Sequence, residues 1–560
     1  MERHQTLKTK MKTQNSSILI LAALFVALLV TGCGRKDEPD APKSMVVALE
    51  NTIVTLDPMR ATEVFSGRVV TQIYEGLVGL DDKGEVIPLL AKSWEHSESY
   101  DSWTFHIRSD VAFHPHPKVA GGGARTVTAG DAAYCLTRLV SAESPFAFAL
   151  LDVLEGAMAY NSGDAESVSG IKVVDDHTLE IHLTLPDPFF LNRMTSQVFG
   201  IYPPEAAQLG PDVFGNELAP GTGPFRLVGQ RSDERARLER NPDYWREVSG
   251  NLESVEFRVV QSDSIRLMDL RNGHIHWASL PSEQMREVFT PDSLQAGEPV
   301  FNRTWRDGFD YARFSTLNSH FLALNNENLD EPFRRAISLA INRREIVDTA
   351  TFGAATVAPG PLPIAIRGYE PSYIKDIHDL DAAKVALAES IFNVDEDRLE
   401  ILVHGKEGAR AVGELIQNQL QALNLRVDLV ELDFNEVFMR QIQGNFEGAV
   451  FFFEYVFSTP APILENFFTP GRVPNIWNFD NPEFTEGVQQ MRELKNLDEL
   501  NRAARVLEET LVDHAASAFL FQKQNIILHT DEVSSVRVNS HSMPLLWETR
   551  MERRTESARK

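Results

Sequence analysis

The residue types best suited to holding a ligand sit together late in the chain. Phe451, Phe452 and Phe453 are followed by Glu454 and Tyr455. A carboxylate set among aromatic rings at the end of an apolar run suits a cationic group taken out of water, such as an amine. The bland alternative is an exposed strand tip. His404 and Asp433 end two earlier segments of the same region and are weaker candidates for the same site. Other chemistry finds little support. The chain has no G-x-S-x-G elbow, no H-E-x-x-H and no phosphate-cradling G-x-x-x-x-G-K-[ST]. Gly221-Thr222-Gly223 lacks the third glycine of a dinucleotide fingerprint. Ser372 and Lys375 fit S-x-x-K, but no partner motif accompanies them. His114 with His116, and His274 with His276, could each offer two imidazoles to a metal; the alternative is solvent-facing polar residues. The pairs Asp81-Asp82 and Asp175-Asp176 read as turns. These absences point away from an enzyme and call for no cofactor.

The elements that must position Glu454 are legible from periodicity. Leu399–Val403 reads as a strand and Ala409–Leu423 as a helix, with Val412, Leu415, Ile416, Leu420 and Leu423 on one face. Leu425–Leu432 reads as a second strand, Asn435–Gln443 as a second helix, and Gly448–Phe453 as a third strand. That third strand is apolar throughout and so buried on both faces. Strand-helix-strand-helix-strand implies a parallel sheet with right-handed crossovers, and ligands gather at the carboxyl ends of such strands. Those ends are His404, Asp433 and Glu454.

Elsewhere, Trp103, Phe105 and Ile107 alternate, as do Leu179, Ile181 and Leu183, which predicts half-buried strands. Residues 114–125, with three consecutive glycines, read as a loop. Val255–Val259 reads as a strand and Asp263–Arg271 as a helix carrying Ile265, Leu267, Met268 and Leu270. Asp330–Asp348 reads as one helix, capped by Asp330, with Pro332 in its first turn and Phe333, Ile337, Ala340, Ile341 and Val347 as its stripe.

Composition bounds the rest. The 560 residues are 43% hydrophobic and 24% charged, so the chain is globular and not predominantly disordered. The formal charge of −26 argues against a nucleic-acid partner. Two cysteines, Cys33 and Cys135, exclude a disulfide framework. Cys135 reads as a small buried hydrophobe. A basic front and the apolar run Ile18–Val30 form a signal-type leader, too short to span a bilayer. Leu29-Val30-Thr31-Gly32-Cys33 resembles a bacterial lipobox. It implies cleavage after residue 32 and a lipidated Cys33 on a polar tether over 33–44, which anchors the protein outside the cytoplasm.

Five blocks, in order, resemble the extracytoplasmic solute-binding proteins of the peptide/nickel class, family 5. They are Leu56-Asp57-Pro58 with Tyr74-Glu75-Gly76-Leu77; Pro88–Glu95 with Trp103, Phe105, Arg108, Val111, Phe113, His114 and Asp131; Gly221–Phe225; Asn241–Trp245; and Phe333–Ile337 with Ala340-Ile341-Asn342. The resemblance implies an α/β, two-lobed periplasmic-binding-protein fold of type II, a Venus flytrap, with an extra subdomain in lobe one. Lobe one would span 45–75, 200–321 and 522–560, the subdomain 76–199 and lobe two 322–521. It implies capture of di- or oligopeptide-like solutes and delivery to an ABC permease with its ATPase subunits, by a monomer. In peptide-binding relatives an Asp takes the ligand's amine; Glu454 stands in that part of this chain. The ligand set is then Glu454, Tyr455, Phe451, Phe453, His404 and Asp433. The alternative within the family is a nickel- or metallophore-binding member.

Overall fold

The computed structural model describes residues 43–552, apart from 82, 120–121, 230, 296–297, 359, 372–376, 406–407 and 473. The leader, Cys33, most of the tether and the Ser372/Lys375 pair lie outside the described residues. From Ser44 onward the chain forms one compact unit.

Its centre is a sheet of twelve strands: β1 (Ser44–Leu49), β2 (Phe225–Leu227), β3 (Arg235–Arg240), β4 (Ser254–Val259), β5 (Trp277–Ser279), β6 (Phe309–Ser315), β7 (Asn318–Leu324), β8 (Ala355–Val357), β9 (Leu399–His404), β10 (Val427–Leu432), β11 (Gly448–Glu454) and β12 (Ser517–Thr530). The order is β10-β9-β11-β7-β12-β5-β1-β4-β3-β2, with β6 and β8 also pairing with β12.

Strand β12 belongs to two halves of this sheet. Residues within Ser517–Phe521 pair antiparallel with β7, and Gln524–Thr530 pair with β6. Strands β6 and β7 are linked by Thr316 and Leu317, both buried. At this crossing Asn318 binds the backbone of Lys523 in both directions. Its Nδ2 donates to Lys523 O (2.9 Å) and its Oδ1 accepts the Lys523 N–H (2.8 Å). The side chain thus ties two strands where their ladders change partner.

The parallel arrangement expected at 398–457 is present: β9 pairs in parallel with β10 and with β11. The helix Ala409–Leu420 buries Val412, Ile416 and Leu420, and the helix Phe434–Ile442 follows β10. The residues of β11 are buried through Phe451 and emerge toward Glu454.

The single helix expected over Asp330–Asp348 is in fact two, Glu331–Ala340 and Arg343–Ala350. Ile341 turns extended, and the Asn342 side chain accepts the Glu345 N–H and caps the second helix. The break lets Arg343 turn inward, where it is fully buried and donates to Phe519 O (2.6 Å) and Ser338 O (2.9 Å). Asp330 stands at the N-cap position without capping. Its carboxylate instead accepts Ser390 Oγ–H (2.7 Å) and the Ile391 N–H (3.0 Å). The expected apolar stripe is buried throughout. The helix Asp263–Arg271 forms as expected, but only Leu267 and Leu270 of its four apolar residues are buried; Ile265 and Met268 are exposed.

A separate antiparallel sheet runs in the order Ala91–His96, Ser102–Ile107, Thr178–His182, Ile171–Asp175. Its alternating Trp103, Phe105, Ile107, Leu179 and Ile181 are buried. The nearby helix Ala129–Leu139 opens on a capping box of Thr128 and Asp131. It holds Cys135 as a buried free thiol, which burial pushes well above its ordinary pKa.

Candidate functional site: a seam between two regions

The motif blocks converge, but on packing. Glu75 is buried, and its carboxylate accepts Thr222 Oγ1–H (2.9 Å), Tyr244 O–H (2.8 Å) and Trp245 Nε1–H (2.9 Å). With neutral donors alone in contact, burial raises its pKa above the ordinary range. His114 Nε2 lies 2.9 Å from Gly223 O, and burial lowers its pKa to about 4. A Cβ on Gly221 would overlap the carbonyl of Ile73 at the end of the helix Val64–Ile73, so only glycine lets this loop approach the helix end. Asp57 is likewise buried, with Arg138 bound to it in bidentate fashion at 2.8 and 2.6 Å and the Tyr202 phenol oxygen accepting from the same guanidinium (2.7 Å). These contacts hold one region together.

A second set of contacts begins where β11 leaves the sheet. Tyr455 donates its N–H to Leu317 O beside the crossing (2.6 Å). Phe457, Ser458 and Thr459 are buried, and the helix Pro460–Phe468 follows. This segment faces the region around the four-stranded sheet. Phe457 meets the Phe148 ring edge-on at 6.1 Å and lies 5.9 Å from the Arg193 guanidinium. Ser458 Oγ–H donates to Asn192 O (3.3 Å). Thr195 Oγ1 lies 3.2 Å from His541 Nε2, so the C-terminal segment joins the same junction. Burial holds the His541 pKa near 4, which leaves the ring neutral at pH 7.

Six charged side chains flank this junction. Arg193 pairs with Asp187 and lies 3.5 Å from Glu465. Arg472 binds Asp152 and Glu465, the latter at 2.8 Å. Arg492 binds Glu465 and lies 3.7 Å from Asp152. Burial and the nearby Arg193 charge lower the Arg492 pKa. Beside the cluster is a cavity of about 500 Å³, bordered by Leu185, Pro186, Thr469, Arg472, Gln489 and Arg492.

The expected ligand residues are placed as follows. Glu454 is exposed at the end of β11, opposite Asn318. Tyr455 is buried, its phenol pushed up by burial, with its ring 4.9 Å from Phe467. Phe453 is half-buried between Phe321 (5.5 Å), Phe467 (4.8 Å) and Trp477 (5.9 Å). Phe451 is buried and stacks on Phe434 at 4.9 Å. His404 is fully buried, edge-on to both rings at 5.0 and 5.5 Å. Asp433 is exposed and caps the helix after β10 by accepting the Asn435 N–H (2.9 Å). The structure therefore puts Phe453 and Tyr455 against Phe467, leaves Glu454 exposed at the strand tip, as the bland alternative has it, sets Phe451 and His404 in an aromatic core, and gives Asp433 a capping task. The charged cluster escaped sequence reasoning because its members span residues 152 to 492 with no local pattern.

The histidine pairs are engaged in other bonds. His276 Nδ1 accepts the Val46 N–H (3.0 Å), and His274 lies 3.1 Å from Asp269. Among the described residues, no group of three or more His, Cys, Asp or Glu is arranged to hold a metal ion. Among the described residues no helix is long and apolar enough to cross a membrane.

Comparison with known proteins places the molecule. Residues 85–475 match the model "bacterial extracellular solute-binding proteins, family 5 middle". The dipeptide-binding protein DppE of Bacillus subtilis is 25% identical over 523 residues, covering 90% of this chain and 91% of its own. The oligopeptide-binding protein OppA of the same organism is 24% identical and covers 85% and 88%. In fold, the Escherichia coli murein tripeptide binding protein MppA matches with a TM-score of 0.76 at 22% identity, over 91% of this chain and 98% of that one. NikA from Staphylococcus aureus, solved in complex with Ni(L-His)2, matches with a TM-score of 0.70 at 15% identity, over 91% and 100%. The chain belongs to the family 5 extracellular solute-binding proteins, which share its two-lobed α/β fold and are the binding components of ABC importers and not enzymes.

Proposed function

We propose that the protein captures di- or oligopeptide-like solutes between its lobes and hands them to a membrane permease, held at the membrane by a lipid on Cys33. The observation that carries this reading is the seam at Tyr455–Thr459, reached from the two-strand crossing and meeting the opposite region through Asn192, Arg193 and Thr195. A seam so hinged can open and shut around a guest. The peptide class is supported by relatives named for dipeptides and oligopeptides along most of the chain.

Recognition then goes through what all peptides share. An extended peptide pairs with exposed backbone groups, as in strand addition. Glu454, exposed at the strand end beside half-buried Phe453, takes the amine. A charged hydrogen bond of this kind contributes about 1.5–3 kcal/mol. Closure follows from the ligand's greater affinity for the shut form.

Calorimetric titration of the mature protein with a peptide series and with Ni(II)-histidine tests the reading. Heat from peptides alone supports it; heat from Ni(II)-histidine alone moves the assignment to the nickel-binding members. Replacing Cys33 with Ser should shift the protein from the membrane fraction to the soluble one; membrane retention would remove the anchor.

A further inference from the structure

We propose that the arginine-rich face of strands β2, β3 and β4 rests against anionic phospholipid headgroups, so that the anchored protein lies on the membrane with this face down. Register and alternation put Arg226, Arg235, Arg237 and Glu239 on the same side of the sheet as Glu256 and Arg258. Three guanidiniums share the Glu256 carboxylate: Arg258 (2.7 Å), Arg237 (3.0 Å) and Arg235 (3.5 Å). Arg226 lies 3.8 Å from Glu239. Four cations therefore face two acids, on a chain whose formal charge is −26. The Glu256 side chain is 14% exposed, against 47% for Arg235, 62% for Arg237 and 31% for Arg258, so the positive groups meet water and the negative one is covered.

The lipid-bearing end of the chain enters at this face. Ser44 pairs with Ser254 and Val46 with Glu256. From Cys33 to Ser44 the chain can span at most about 40 Å, so a lipid on Cys33 keeps the face near the bilayer. The other end of the fold meets the same edge. Met551 N–H donates to Asn251 Oδ1 (2.7 Å) and Asn251 Nδ2 donates to Met551 O (3.0 Å), just before β4. The sequence beyond adds Arg553, Arg554, Arg559 and Lys560 against one acid, Glu556. On the same side, the helix Asp263–Arg271 shares a core with Ala48, which pairs with Arg258, and leaves Ile265 and Met268 exposed. Cations together with exposed apolar side chains suit the headgroup boundary. The acidic remainder of the protein is screened beyond about 8 Å at physiological ionic strength, so the arginines act at contact. The contact is weak and reversible, and it orients the protein while the lipid anchors it. The lipid on Cys33 supplies the setting, and the vesicle experiment does without it, so either can fail alone.

The test is co-sedimentation of the mature chain carrying Cys33→Ser, and so no lipid, with phosphatidylglycerol-rich vesicles and with phosphatidylcholine vesicles. It should bind the first at low salt, lose that binding at high salt and ignore the second. Arg235→Gln with Arg237→Gln should weaken the binding about 25-fold, from about fivefold for each charge near an anionic surface, while Arg258 stays to pair Glu256. Arg226→Gln, expected to weaken it about fivefold, asks the same question if the double variant fails to fold by circular dichroism. No binding to anionic vesicles, equal binding to both kinds, or arginine variants that bind as tightly as the parent would overturn the membrane-facing surface. Fractionation of the lipid-bearing chain tests the anchor separately.

Discussion

Glu508 should make the protein less stable as pH rises through neutrality. It lies on the helix Leu497–Asp513 and is fully buried. One carboxylate oxygen accepts the Leu362 N–H (3.0 Å) and the other the Tyr369 O–H. A Cβ on Gly360 would collide with the same carboxylate, so the 360–369 segment is fitted around it. Burial pushes the Glu508 carboxyl from an ordinary 4.5 up to about 7, against the opposing pull of its two donors. The folded chain therefore holds this proton more tightly than the unfolded chain. Its stabilisation is complete below pH 4.5 and is lost as pH climbs through 7. At about 1.4 kcal/mol per pH unit, the loss between pH 5 and 8 is about 2–3 kcal/mol. Glu508→Gln is neutral at every pH and can keep both contacts, with its oxygen on Leu362 N–H and its amide on Tyr369 O. Hydrogen exchange at the Leu362 and Ile364 amides reads the local stability, since Ile364 N–H is held by Gln522 Oε1 in the same segment (2.7 Å). Protection in the native chain should fall from pH 5 to 8, after correction for intrinsic exchange, while the variant stays level. Parallel profiles for the two proteins would refute the reasoning.

Three further outcomes are expected. Asp57→Ala should cost about 3–5 kcal/mol, because it strands the Arg138 guanidinium without its bidentate partner; an unchanged denaturation midpoint would contradict this. Asp433→Ala should cost about 1 kcal/mol through the lost helix cap and leave peptide affinity untouched; a fall in affinity would put Asp433 in the site. Glu454→Ala should weaken amine-bearing ligands roughly tenfold or more with folding intact, as titration calorimetry would read; native affinity would remove Glu454 from the ligand set.

Legibility followed the range of the physics. The β9-helix-β10-helix-β11 unit was readable because burial period, strand length and crossover are set within some sixty residues. The split at Ile341–Asn342 was not, because it depends on Arg343 reaching the distant Phe519 carbonyl. Asp330 had the right residue type for a cap, yet Ser390 and Ile391 claim its carboxylate in three dimensions. The motif blocks identified the family, and the structure shows much of what they do: Glu75 gathers Thr222, Tyr244 and Trp245 into one buried cluster. Residues that signal a fold need not touch its ligand. For the candidate site, sequence pointed to Glu454 and its aromatic neighbours but passed over Asp152, Arg193, Glu465, Arg472 and Arg492, which only the folded chain brings side by side.

The most direct measurement is mass spectrometry of whatever denaturation releases from the freshly purified mature protein. Short peptides with free amino ends, in amounts approaching one per chain, are the predicted finding. Release of a nickel complex, or of any non-peptide solute in that amount, would contradict the account.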